Sequence, residues 1–215
     1  MNDRSHHPSS LNHPIVEQSF AIIDREMGDH NFSPDHYAVV QRVIHSTADF
    51  EFKDLLVFSP SAVEQAIAAL RNQMPIIVDV NMVKQGIRGM VAKTFQNAIH
   101  VAVNQVEQAS PGKTRTETGI EQCLRHYPES IVVIGNAPTA LLAMCEAVQN
   151  AQAQPSFVIG APVGFVSVVE SKAALAQVDL PQIRVTGRKG GSAVAAAILN
   201  ALIVRAWQGD RTAET

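Results

Sequence analysis

The stretch QRVIHSTADFEF, residues 41–52, sets one imidazole, His45, three residues after a guanidinium, Arg42, and just before two hydroxyls and a carboxylate. On a helix that spacing stacks Arg42 and His45 on one side, a turn apart. A helix C-terminus favours the imidazolium and a neighbouring guanidinium opposes it, so the proton of His45 is expected to sit between opposing influences near neutral pH. Such a group suits general acid chemistry. The spacing alone leaves a hydrogen-bonded structural histidine or a metal ligand equally open. Ser19, in PIVEQSFAIIDREM, shares a face with Ile15, Ile22 and Ile23. A serine in such a stripe either bonds back to the carbonyl four residues earlier or faces a ligand. The Asp24-Arg25-Glu26 run that follows reads as a solvated charged face.

Anion chemistry points to three other places. IGNAPTA (134–140), IGAPVGF (159–165) and TGRKGGS (186–192) each join an apolar run to a helical one through Gly or Pro. In that setting backbone N–H groups and helix N-termini can face an anion, and the last loop adds Arg188 and Lys189. The glycines alone could equally be backbone requirements. Nucleotide signatures fail here. GKT at 112–114 lacks the P-loop glycine, since position 107 is Glu, and Gly187, Gly190 and Gly191 miss the GxGxxG spacing. Neither a GxSxG elbow nor an HExxH pair occurs. The loops suit an anionic ligand other than a nucleotide held by a familiar motif.

These loops imply the scaffold. LLVF (55–58), PIIVDV (75–80), AIHVAVN (98–104), SIVVIG, SFVIG and QIRVTG read as strands, continuous in their apolar character and separated by helical runs. That alternation predicts an α/β fold, a predominantly parallel β-sheet flanked by helices on both faces in a single domain. Ligands in such sheets bind outside the carboxyl ends of the strands, where the three loops fall. Helix starts are expected at Ser33-Pro34, at Ser59-Pro60 or a Ser61/Glu64 capping box, at a Thr114/Glu117 capping box, and near Ser192. NMVKQGI, after the second strand, reads as a short helical or looped piece.

Composition narrows the partners. With 17 Lys and Arg against 20 Asp and Glu, the net charge of −3 offers no broad cationic face for nucleic acid or anionic lipid. Cys123 and Cys145 lack CxxC spacing and read as reduced core thiols of a cytoplasmic protein. The apolar stretch SAVAAAILNALIVRAW is interrupted by Asn200 and Arg205, so no membrane span is expected. Residues 1–13 and 208–215 read as tails around a domain at 14–207. His6, His7 and His13 lack the rigid framework a metal site needs, and no metal site is expected.

Taken together and in order, SFAIIDRE, RVIHSTAD, FSPSAVEQAIAAL, PIIVDVNMV, IGNAPTAL, GAPVGFVSVVESK and GRKGGSAVAAAILNAL resemble the precorrin-8X methylmutases of the vitamin B12 pathway, from about residue 14 to about 205. The resemblance implies an isomerase that shifts a methyl from carbon 11 to carbon 12 of a tetrapyrrole, with no cofactor, usually as a homodimer. It puts the catalytic histidine on His45 and substrate contacts on Ser19 and Arg42. Thr114 and Arg115 are expected to help clamp a carboxylate, with Asn136, Gly187, Arg188, Gly190, Gly191 and Ser192 lining the loops. A carrier protein that binds corrinoids without chemistry is the alternative.

Overall fold

The computed structural model describes residue 11 and residues 13–213. Two helices open it, α1 (Pro14–Met27) and α2 (Pro34–Thr47), and a single turn, α3 (Phe52–Leu55), leads into β1 (Leu56–Phe58). Then follow α4 (Ala62–Arg71), β2 (Ile76–Val78), α5 (Asn81–Lys93), β3 (Ile99–Val101), α6 (Arg115–His126), β4 (Ile131–Ile134), α7 (Pro138–Gln149), β5 (Phe157–Gly160), α8 (Val168–Ala176), β6 (Gln182–Val185) and α9 (Ser192–Ala213). The strands form one sheet in the order β1-β6-β5-β4-β2-β3, parallel except for β1, which runs antiparallel to β6 at the edge.

The strands read as continuous apolar runs because both faces are covered. Ile76, Val78, Ile131, Val133, Phe157 and Ile159 point into a core shared with α2, α4, α5 and α9. Their alternates Ile77, Val132, Ile134 and Val158 point into a second core beneath α6, α7 and α8. This is the two-sided burial that a parallel sheet requires. The Ser192–Gly209 stretch of α9 has the length and composition to cross a membrane, yet 61% of it is buried. It packs on α2, α4 and α5 and is apolar because it is enclosed.

The structure departs from the sequence-based expectations at several points. The 81–87 piece is the start of a thirteen-residue helix, α5. Gly86 and Gly89 disguise it, since glycine is a poor helix former. At Gly86 the missing side chain admits α9, because a Cβ there would lie 2.6 Å from Ala196 Cβ. AIHVAVN extends only over residues 99–101 before a 3₁₀ turn, Ala102–Asn104. There Gly119 of α6 comes so close that a Cβ would sit 1.9 Å from the Ala102 carbonyl oxygen. The α4 capping box does not form. Ser61 is left-handed at φ 54° and makes no side-chain cap, while the Ser59 hydroxyl accepts the Gln182 N–H at 2.8 Å. The C-terminal boundary expected at residue 207 is overrun, for α9 stays helical through Ala213. Of the tail before His13 only residue 11 is described, and His6 and His7 lie outside the described residues.

Candidate active site

α2 begins as expected, with Ser33 accepting the His36 N–H and Pro34 at the first position, and it ends at Ala48 in a left-handed cap. His45 therefore sits in the last turn. α1 packs along α2, and the Ser19 hydroxyl meets His45 Nδ1 at 2.7 Å. Ser19 thus neither bonds back along α1 nor stands free for a ligand alone, but faces the imidazole. Phe20, one residue on, places its ring edge-on to His45 at 5.4 Å between centroids, and the Arg42 guanidinium lies 5.4 Å from the same ring.

This arrangement tunes the histidine. Burial and then the Arg42 charge push His45 below the usual histidine range, and burial lowers Arg42 as well. The balance expected from the sequence thus tips one way, because the seam between α1 and α2 desolvates the ring. Among the described residues Nε2 makes no hydrogen bond. A hydroxyl can give or accept, so Ser19 can serve both neutral and protonated imidazole at Nδ1 and leave Nε2 free to gain or lose the proton.

His45 and Ser19 line a groove of about 430 Å³, walled by Ile15, Ile22 and Phe50 and floored by Ile44. Small-molecule sites run roughly 300–1,000 Å³, so this volume takes one edge of a large ligand. A larger groove of about 540 Å³ lies between α6 and α7. It is walled by surface charges such as Lys113 and Glu121, which pair with each other.

The 186–192 loop is tied to the histidine helix. Lys189 Nζ donates to Asp49 Oδ2 and Glu51 Oε2, each at 2.6 Å, just beyond the end of α2. From beneath, the ammonium of Lys172, only 3% exposed, donates to the carbonyls of Gly187 at 2.8 Å and Lys189 at 2.7 Å. Burial pulls its pKa down to about 8. Gly190, at φ 152°, lies where a Cβ would be 2.4 Å from the Ala161 carbonyl oxygen, and Gly191 donates its N–H to that oxygen at 2.8 Å. Arg188 lies over the exposed Phe165 ring at 5.6 Å. Ser192 is buried at the start of α9, under Gly135.

The 134–140 loop corrects an expectation. Its N–H groups do not face outward. They close on the buried carboxylate of Asp79, which accepts from Gly135 at 3.1 Å, Asn136 at 2.6 Å, Ala137 at 2.7 Å and Val80 at 3.0 Å. Burial raises this carboxyl, against the pull of the four donors. Asn136 keeps only its exposed side chain for the rim. Thr114 and Arg115 lie by this loop, apart from the His45 cluster. Thr114 forms the expected capping box with Glu117 and bonds Thr139 across to α7 at 2.8 Å. Arg115 turns Nη2 onto the Val103 and Val106 carbonyls.

The missed residues are Phe20, Asp49, Glu51, Asp79 and Lys172. Two left a trace in the sequence: Asp79 is a lone carboxylate ending the apolar run PIIV, and Lys172 interrupts the apolar stripe from Val168 to Leu175.

A parallel sheet covered on both faces, with a hydroxyl-supported imidazole in a groove beside glycine-rich strand ends, has the architecture of an α/β enzyme that acts on a small molecule. The comparisons narrow that class. The chain belongs to the precorrin-8X methylmutase family (CbiC), whose model matches residues 14–205, and so to the isomerases of cobalamin biosynthesis. The cobalt-precorrin-8 methylmutase of Synechocystis sp. is 52% identical over 212 residues, covering 92% of this chain and 98% of its own. That of Salmonella typhimurium is 41% identical, covering 88% and 93%. A crystal structure of precorrin-8x methyl mutase from Thermus thermophilus superposes with a TM-score of 0.86 at 41% identity, covering 91% of this chain and 97% of the other.

Proposed function

We propose that the chain moves the methyl group from carbon 11 to carbon 12 of precorrin-8X or its cobalt form, with His45 as the acid. The observation that supports this most is the 2.7 Å Ser19–His45 contact, which leaves Nε2 unbonded in an apolar groove. His45 lends a proton or hydrogen bond to the conjugated ring as the bond at carbon 11 breaks and that at carbon 12 forms. It recovers the proton as conjugation is restored, so no atom is gained or lost. One positioned acid contributes roughly 10²–10⁴-fold to rate. Arg42 and Ser19 orient the ring edge. Arg188, Lys189 and the 186–192 loop meet peripheral carboxylates, with Arg115, Thr114 and Asn136 at the far rim.

The substrate's carboxylates offset the Arg42 charge on binding, which raises the proton affinity of His45 when the acid is needed. The free, buried Cys123 and Cys145 suit a reducing cytoplasm, and the exposed apolar Val163, Phe165, Val166 and Val169 suit the face of a homodimer.

The test incubates purified protein with precorrin-8X or its cobalt form and follows the visible spectrum and product mass. The expected outcome is altered conjugation at constant mass, with His45→Ala binding the ligand but losing most turnover. Intact binding without conversion points to a carrier, and near-normal turnover by His45→Ala removes His45 from the mechanism.

A further inference from the structure

The seam between α1 and α2 carries a second polar contact a turn and a half from the Ser19–His45 pair. Asp24, which the sequence alone suggests is a solvated charge, accepts through one oxygen from the Tyr37 hydroxyl at 2.6 Å and from the Gln41 amide at 2.5 Å. Tyr37, Gln41 and His45 recur every four residues and so share one stripe of α2. Against that stripe α1 runs antiparallel, with Asp24 opposite Tyr37 and Gln41, and with Ser19 and Phe20 opposite His45 and Arg42. Stacking on His30 at 4.1 Å fixes the Tyr37 ring. Burial and the Asp24 carboxylate both hold its phenol protonated, so that it remains a donor. α1 buries only Ile23 and Met27 fully, while Ile15 and Ile22 stay exposed. Apolar packing alone therefore sets its axial position weakly, and the polar contacts must set it.

We infer that Asp24 is a positioning residue for the methyl shift: by clamping Tyr37 and Gln41 it fixes the register of α1 on α2, and so holds the Ser19 hydroxyl on Nδ1 of His45. A slip of one residue moves α1 by about 1.5 Å and turns it by about 100°, which the 2.7 Å contact cannot survive. Without that contact Nδ1 loses its hydrogen-bond partner in both charge states, and the ring is no longer held in one orientation. The inference rests on the proposed role of His45.

A double-mutant cycle on the full chain tests it, with kcat and KM for the methyl shift and the ¹⁵N shifts of the His45 ring as readouts. Asp24→Ala is expected to lower kcat roughly 10- to 100-fold with little change in KM. Ser19→Ala does the same, and the double variant is no slower than Ser19→Ala alone. Asp24→Asn, which keeps an oxygen acceptor, recovers most of the rate. In Asp24→Ala the Nδ1 shift of His45 moves toward its value in Ser19→Ala, as the loss of the hydroxyl contact requires. Losses that multiply in the double variant overturn the inference, as does normal turnover by Asp24→Ala or Ser19→Ala beside a slow His45→Ala. Normal turnover by His45→Ala instead sinks the site reading on which it stands. If Asp24→Ala fails to fold by circular dichroism, Tyr37→Phe removes one arm of the clamp, keeps the ring stack, and is judged by the same cycle.

Discussion

At the scale of single residues, the candidate site is marked by a shift in proton affinity. His45 is held low by burial and by Arg42. Replacing Arg42 with Gln removes the charge but leaves most of the burial, so the imidazole pKa is expected to move upward. An NMR titration of the His45 ring protons in the free enzyme reads this directly, and an unchanged or lower pKa would contradict the electrostatic account. The sign also bears on rate. If the imidazolium is the acid, wild-type kcat/KM falls as pH rises through a value below the ordinary histidine range, and in Arg42→Gln that fall occurs at higher pH. Arg42 and His45 were legible in the sequence because i,i+3 spacing survives into any helix. That Ser19 would be the partner of Nδ1 was not, since the bond spans 26 residues and depends on how two helices meet.

At the scale of elements, the 186–192 loop is held by two lysines in opposite ways. Lys189 is an exposed, paired cation, whereas Lys172 is a buried one that donates to the Gly187 and Lys189 carbonyls. Its folded pKa, about 8, lies below the unfolded value of 10.5, so between those pH values the unfolded chain binds more protons. Stability contributed by this group therefore rises with pH across that window, by about 3 kcal/mol in all. Urea denaturation at pH 7.5 and pH 10.5 is expected to show the stability of the wild type rising by that amount relative to Lys172→Met, since the opposing titration of the buried Cys123 and Cys145 is common to both proteins. A difference between the two proteins that stays flat with pH would refute it. The elements themselves were largely readable: strands as two-sided apolar runs, α2 and α6 by their caps. Two of the misreadings share one physical cause. Gly86 and the 102–104 turn both answer to close approach by another element, Gly86 to α9 and the 3₁₀ turn to α6 at Gly119, which local propensity does not encode.

At the scale of the whole molecule, α9 joins the core to the site. Its N-terminus meets the 134–140 loop, and its middle fills the space between the sheet and α2, α4 and α5. Leu202 is fully buried there, and Leu202→Ala is expected to cost about 2–5 kcal/mol. The residue lies roughly 15 Å along the helix from Ser192. The folded fraction should then keep its kcat, which pairing denaturation with activity per folded molecule will check. The fold class and the rim of loops followed from the sequence, while Asp79 and Lys172 leave only a trace there, as polar residues in apolar runs, and their partners emerge once the chain is closed around them. Asp79 has a wider consequence. Its carboxylate fills, from inside the protein, the ring of N–H groups that a phosphate would otherwise enter. The loop is thus ordered before any ligand arrives and presents no vacancy to the nucleotides and sugar phosphates that crowd a metabolising cell. On the proposed reading a substrate is chosen instead by the spread of its charges over a broad ring, a discrimination by breadth among anions that a single nest would have accepted alike.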